Sequence, residues 1–265
     1  MVGGNARGSG QSRDDESGDH WALRVDPEKK SVRAQERDEA KRAAWRERTR
    51  GIDPDRFVWI DETGSHLGMT RRHSRAPRGQ RAYGTAPGSR GRNRTLLTSL
   101  TRAGFGPGLL LDEAIDSGTF EGYVIHRLAP TLQPDQIVVA DNLKVHYSDR
   151  ARAAIEARGA QLWHLPPYSP DLNPIEEAFS KVKAFLRTAE PRTLEAHSAA
   201  IWAALRTITP QDAAGWFAHA GYGTPRPKPR SPRQRHDYNL RFSLPDASPV
   251  IMLHVAAPHL LDHLW

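Results

Sequence analysis

HLPPYSPDLNPIEEAFSKVKAFL, His164–Leu186, is the stretch around which the rest of the chain is read. It opens as a strand-like piece, turns through prolines and starts a helix. Asn173 is a good cap, and Pro174 suits the first helical position, where no amide hydrogen is needed. In helical phase Ile175, Phe179, Val182 and Leu186 share one face, with Ala178 and Phe185 beside it, so this face buries against a sheet. Glu176 falls on the flank of that face, near the sheet's edge. Glu177 points further toward solvent and complements the positive helix start. Glu176 also follows Asn173 by three residues, the spacing of a capping box, and spacing alone leaves that reading open.

Two upstream stretches have a related form. FVWID (57–61) and QIVVADN (136–142) are short apolar runs that end in Asp61 and Asp141. Their length and β-branched or aromatic content suit strands buried on both faces. Each aspartate taken singly is better explained by the turn that ends a strand. Taken with Glu176, they form a set of oxygen donors. Mg²⁺ is held by a few carboxylates plus water and substrate phosphate. Two such ions can activate an attacking oxygen and stabilise a leaving one. Clustered carboxylates otherwise raise one another's pKa, so three together make sense mainly with metal.

The surrounding sequence supplies charge. The chain has 265 residues, a net charge of +7, and 31 arginines against 7 lysines. Arginine forks match phosphate, which points to a polyanionic partner. Residues 63–111 contain no Asp or Glu, but they carry Arg71, Arg72, Arg75, Arg78, Arg81, Arg90, Arg92, Arg94 and Arg102. Gly and Pro punctuate the stretch, so it reads largely as a loop with a phosphate-facing surface. Within and beyond it, ETGSHLGMT reads as a turn and a second strand. TLLTSLT (95–101) and GLLLDEAI (108–115) read as strands around a GFGPG turn. Helices are predicted at 117–129 (capped by Ser117), 148–158, from Pro174, at 193–207 and at about 210–220, with a strand at 161–165.

The ends differ from the middle. Residues 1–26 lack periodicity and are expected to be disordered. Residues 27–54 read as a linker-like helix over 27–49, capped by Asp26, with Trp45 docking onto the next domain. Residues 55–222 form the main domain, and 223–265 are a Pro/Arg-rich tail of unassigned role. With no cysteine, disulfides and thiolate zinc sites are excluded. No apolar run approaches the ~20 residues that span a bilayer. The N-terminus lacks a signal-peptide core, so a cytoplasmic, nucleoid-associated protein is expected.

FVWIDETG, VVADNLKVH and LPPYSPDLNPIEEAFSKVK resemble the three catalytic blocks of the DDE transposases of the Tc/mariner superfamily, and most closely its bacterial insertion-sequence branch. The 34 residues 142–175 between Asp141 and Glu176 match that branch's spacing. The resemblance covers roughly 30–222. It implies an α/β, RNase H-like mixed sheet flanked by helices. It further implies DNA strand cleavage and strand transfer at insertion-sequence ends, with two Mg²⁺ or Mn²⁺ ions on Asp61, Asp141 and Glu176. Asn142 and His146 match a supporting DNxxxH neighbourhood, and Tyr168, Ser169, Pro170 and Asn173 shape the turn before Glu176. The DNA-binding set is Arg71, Arg72, Arg75, Arg78, Arg81, Arg90, Arg92 and Arg94. Partners implied are transposon-end and target DNA and a second copy. Residues 1–50 do not supply two recognition-type helices, so a separate helix-turn-helix polypeptide is a further expected partner. Two alternatives stay open: an inactive DNA-binding remnant, and an RNase H-like nuclease without strand transfer.

Overall fold

The computed structural model describes residues 34–223 and the pair His254–Val255. The expected extension 1–26 and most of the 223–265 tail lie outside the described residues. Three strands form an antiparallel meander: β1 (Phe57–His66), β2 (Asn93–Thr101) and β3 (Gly104–Leu111). β4 (Ile137–Ala140) joins β1 in parallel and β5 (Gln161–His164) joins β4, while His254–Val255 is a short β6 parallel to β3. The strand order is β5-β4-β1-β2-β3-β6.

β1 shows why the sheet is buried on both sides. Side chains alternate along a strand, so Phe57 and Trp59 enter one core while Val58 and Ile60 enter the other. The first core is closed by α4 (Pro174–Ala189), α5 (Leu194–Arg206) and α6 (Pro210–His219). The second is closed by α2 (Ser117–Tyr123), its continuation through a π-turn at Val124–Leu128, and α3 (Asp149–Glu156). On α4, Ile175, Ala178, Phe179, Val182 and Leu186 are the buried face, as the helical phase predicts.

Several boundaries differ from the sequence reading, each for a local reason. ETGSH is not a turn: β1 continues to His66 because its register with β2 holds from Trp59↔Leu100 to His66↔Asn93. GFGPG belongs to β3, and the turn is Arg102–Ala103. Pro107 is accommodated beside a bulge at Thr98/Leu100, and its carbonyl accepts bonds from Thr98 Oγ1 (3.1 Å) and Tyr123 Oη (2.7 Å). β3 stops at Leu111, short of the predicted 115. Asp116, not Ser117, caps α2, accepting from the Thr119 amide at 2.7 Å.

Of the helix expected over 27–49, residues 27–33 and the cap Asp26 lie outside the described residues. α1 is Glu39–Thr49, with Asp38 as the cap accepting from the Lys41 amide at 2.9 Å, and residues 34–38 are turn or irregular. α1 packs on the first core. Trp45 is 5% exposed, meets Trp163 edge-on with ring centres 6.0 Å apart, and donates from Nε1 to Tyr222 Oη at 2.8 Å.

Candidate active site

The register of β1 with β4 builds the site. Trp59 pairs with Val139 in parallel, so two residues further on Asp61 and Asp141 stand at the same end of the β1–β4 pairing. Asp61 is still within β1 and is 7% exposed. Asp141 follows β4 directly, and its side chain is 44% exposed. Glu176 lies in the first turn of α4 and is exposed.

Asn173 ties the third carboxylate to the first. It occupies the α4 cap position but makes no side-chain cap bond. Its Nδ2 instead donates to Asp61 Oδ2 at 2.8 Å, a buried contact across 112 residues of sequence. The capping-box alternative for Glu176 is therefore not realised. Among the described residues the Glu176 side chain makes no hydrogen bond or ion pair, and its amide donates to the Asn173 carbonyl at 3.2 Å. Glu177 does have a partner, His219 Nδ1, and is the less exposed of the two, contrary to the sequence reading.

The electrostatics follow from burial. Asp61 is pushed up to about 8, first by desolvation and then by the negative charges of Asp141, Glu62 and Glu176. Asp141 moves the other way: burial opposes its charged form, but bonds from His146 and the Leu143 amide outweigh it. His146 is fully buried, not a surface histidine. Its Nδ1 meets Asp141 Oδ1 at 2.6 Å and its Nε2 meets Glu62 Oε2 at 3.1 Å. Burial disfavours its cation, yet two carboxylate partners raise it to about 9. Both ring nitrogens then carry hydrogen and donate.

Asn142 also supports the edge. Its Nδ2 donates to the Leu165 carbonyl, and its Oδ1 accepts from Tyr147 Oη at 2.6 Å. Tyr147 stacks on His164 with ring centres 4.2 Å apart, and His164 Nδ1 donates to the Asp141 carbonyl at 3.1 Å.

The turn before α4 is held residue by residue. Tyr168 takes a left-handed φ of 50° and its ring is 57% exposed, so it shapes the turn through its backbone. Asp171 accepts a forked pair from Arg42, at 3.0 and 2.6 Å. The Leu172 carbonyl accepts from Tyr222 Oη at 2.7 Å, and Tyr222 in turn accepts from Trp45. Glu62, Arg42 and Tyr222 escaped the sequence reading. Arg42 had one signal: with Trp45 and Thr49 it forms the buried i, i+3, i+7 stripe of α1.

The donor set suits a hard divalent cation. Among the described residues Asp141 Oδ2 and both Glu176 oxygens accept no hydrogen bond, and Asp61 keeps lone pairs beyond its bonds from the Glu62 amide and Asn173. Asn173 Oδ1 is buried without a hydrogen-bond partner beside Asp61. The repulsion that raises Asp61 is what a cation there would relieve. No three His, Asp or Glu side chains among the described residues already stand as a close ligand set.

The arginines divide in two. Arg71, Arg72, Arg75, Arg78, Arg81, Arg90 and Arg92 are exposed on the segment between β1 and β2. Arg94 is 1% exposed and does not face solvent: it pairs with Asp112 at 2.7 Å and donates to the Leu194 carbonyl at 2.9 Å, joining β2 to α5. Its place in the DNA-binding set is corrected on that ground. No helix among the described residues is long and apolar enough to cross a membrane.

No curated protein matches the chain. Among solved structures it is similar to the Mos1 strand transfer complex, at 19% identity and a TM-score of 0.59 over 74% of this chain and 63% of that one. It is also similar to the Mos1 mariner paired end complex with Mn, at 18% identity and 0.58 over 73% and 63%. The Mos1 transposase catalytic domain with raltegravir and Mg aligns at 14% identity and 0.51 over 68% and 86%. The chain thus spans 63% of the first of these relatives, and the likeness carries the RNase H-like fold expected from the sequence. A family model described as DDE superfamily endonuclease matches residues 56–196, over half of the chain and all three carboxylates. The chain belongs to the DDE superfamily endonucleases.

Proposed function

We propose that this protein is a transposase of the bacterial insertion-sequence branch of the Tc/mariner superfamily. It cleaves DNA strands at element ends and joins them to target DNA. The observation that carries this reading is the meeting of Asp61, Asp141 and the Glu176 helix at one sheet edge, with Asn173 bonded to Asp61.

Asp61, Asp141 and Glu176 would hold two Mg²⁺ or Mn²⁺ ions. When bound, these supply charge neutralisation and activation of the attacking oxygen. The protein's own groups orient the site. His146 fixes Asp141 and Glu62 relative to each other, and Asn142 and the stacked Tyr147–His164 pair hold the backbone that carries Asp141. Asn173 holds α4 against β1. The exposed arginines grip the phosphate backbone. In the first reaction water attacks a phosphodiester and a 3′-hydroxyl leaves. In the second that 3′-hydroxyl attacks a target phosphodiester and another 3′-hydroxyl leaves.

In this reading two copies act together on nucleoid DNA, and a separate helix-turn-helix polypeptide supplies end recognition. Tight sequence-specific binding of terminal repeats by this chain alone would remove the need for that partner.

The test is Mg²⁺-dependent nicking of plasmid by the full chain. Asp141→Asn is expected to abolish it, and unchanged nicking would make the assignment wrong. A donor–target joining assay separates a transposase from a nuclease that only hydrolyses.

A further inference from the structure

The carboxylate site leaves the tail beyond Tyr222 without a role, yet two of its residues take part in the sheet. His254–Val255 pairs in parallel with Leu110 and Leu111 of β3, at the outer end of the strand order. Without that pairing β3 would be an edge strand. Its two faces are covered, since Leu110 enters the first core and Leu109 and Leu111 enter the second. What a departing β6 would leave open is the backbone edge.

The two halves of that edge differ. The first carries Pro107, which has no N–H, beside the bulge at Thr98/Leu100. Prolines and bulges keep a strand edge from pairing with another chain. The second half, residues 109–111, is three leucines in regular register with β2, with no proline and no charge. Left uncovered, it is a template for strand addition. This is the half on which His254–Val255 lies.

The tail's sequence suits that place. VIMLHVAA (250–257) is an apolar run between Pro249 and Pro258, and Val250, Ile251 and Val255 are β-branched. A parallel pairing needs a crossover of about a dozen residues or more. The 31 residues 223–253 supply it.

We propose that residues 250–257 are an edge-capping strand: they dock in parallel on the 109–111 edge of β3 in their own chain and withhold that edge from a second copy. The cap acts independently of the DNA chemistry proposed above. Its ladder spans two residues, so it is a weakly held element of the sheet. Releasing it opens β3 to edge-to-edge pairing between copies.

The test uses the full chain without DNA. The chain has no cysteine, so two introduced thiols report on one contact. Leu111 and Val255 are register partners. Neighbouring strands stand about 4.8 Å apart, within the Cα separation that a disulfide spans. Leu111→Cys with Val255→Cys, oxidised at low protein concentration, is expected to close a disulfide within one chain, read as a faster monomer band on a non-reducing gel. It should form at least about tenfold faster than in Leu111→Cys with Ser243→Cys, because a docked strand holds its thiol at high effective concentration. A disulfide-linked dimer as the main product, or equal rates for the two pairs, overturns the cap. Val255→Pro leaves residues 34–223 unchanged and tests the same edge without thiols. In sedimentation velocity it is expected to self-associate at a concentration at least about tenfold below that of the wild type, because proline breaks the ladder and frees the edge. A Val255→Pro chain that sediments like the wild type at every concentration also overturns it.

Discussion

Asn173 occupies the cap position of α4 but gives its side-chain amide to Asp61 on β1, Nδ2 to Oδ2 at 2.8 Å. A cap residue ordinarily bonds the amides of its own helix. Here that local bond is absent, and the side chain joins the strand of one carboxylate to the helix of another. The N3 amide that a cap side chain would take, that of Glu176, donates instead to the Asn173 backbone carbonyl at 3.2 Å.

The tether predicts a substitution pattern that ordinary capping would not. Asn173→Ser restores a good cap but cannot reach Asp61. It is expected to cost about 1–3 kcal/mol, the loss of a buried bond to a charged or polar group, in urea unfolding. It should also raise the Mg²⁺ midpoint for nicking at least about tenfold, as losing an outer partner of a metal ligand does. A serine variant with native stability and native Mg²⁺ midpoint would reduce Asn173 to a cap.

The raised Asp61 predicts an inverse relation between stability and alkalinity in metal-free protein. Its folded value of about 8 exceeds the unfolded 3.8, so its contribution is complete below 3.8 and is lost as pH rises through 8. His146, raised from 6.5 to about 9, loses its contribution between those values, in the same direction. Thermal unfolding without metal should therefore shift downward from pH 6.5 to 9. Asp61→Asn should be more stable than wild type at pH 8.5 while losing nicking. Mg²⁺ should raise the wild-type Tm at that pH and leave the variant's unmoved. A wild type whose metal-free Tm is flat over this range would show that Asp61 is not electrostatically strained.

What the sequence made legible has a physical boundary. Short apolar runs such as FVWID and QIVVA fix strand identity because burial on both faces demands it, and cap chemistry fixed the start of α4 at Pro174. Asp61 and Asp141 were legible as the acids that close those apolar runs, although β1 itself continues past Asp61 to His66, and Glu176 as an acid in the first turn of α4. Their partners were not. Glu62 meets His146 across 84 residues, and Arg42 meets Asp171 across 129, contacts that no local pattern encodes. Arg94 misled for a related reason: its neighbours 90–93 are exposed, and only the strand pairing that begins at Asn93 turns it inward. The continuation of β1 through ETGSH was hidden because a pairing with β2 overrides the turn signal of Gly64.

The split among the arginines predicts two different losses. Arg75→Gln, Arg78→Gln and Arg81→Gln together should leave unfolding within about 0.5 kcal/mol, as exposed substitutions do. They should weaken DNA binding and lower the salt slope by up to about 0.9 for each phosphate contact removed. Arg94→Gln should do the reverse. It breaks a buried pair with Asp112 and the bond to the Leu194 carbonyl that joins β2 to α5, at a cost of about 3–5 kcal/mol in denaturant. A destabilised loop triple or a fully stable Arg94→Gln would reverse the division drawn from burial.

The last prediction concerns α1, which lies far from Glu176 in sequence yet holds the turn before it. Arg42 is fully buried and forks onto Asp171, and Trp45 reaches the Leu172 carbonyl through Tyr222. With Asn173 bonded to Asp61, three consecutive residues before Glu176 are fixed from three directions. Loosening the first two should misplace Glu176 without touching any DNA contact. Arg42→Gln is expected to lower the nicking rate at saturating DNA while the DNA affinity stays within about twofold, since losing an interaction made only in the transition state lowers kcat without raising KM. Trp45→Phe and Tyr222→Phe should be non-additive in stability by about 1 kcal/mol, because each removes the same hydrogen-bond chain. An Arg42→Gln that loses DNA affinity in proportion to rate would place α1 in DNA binding and not in holding the turn.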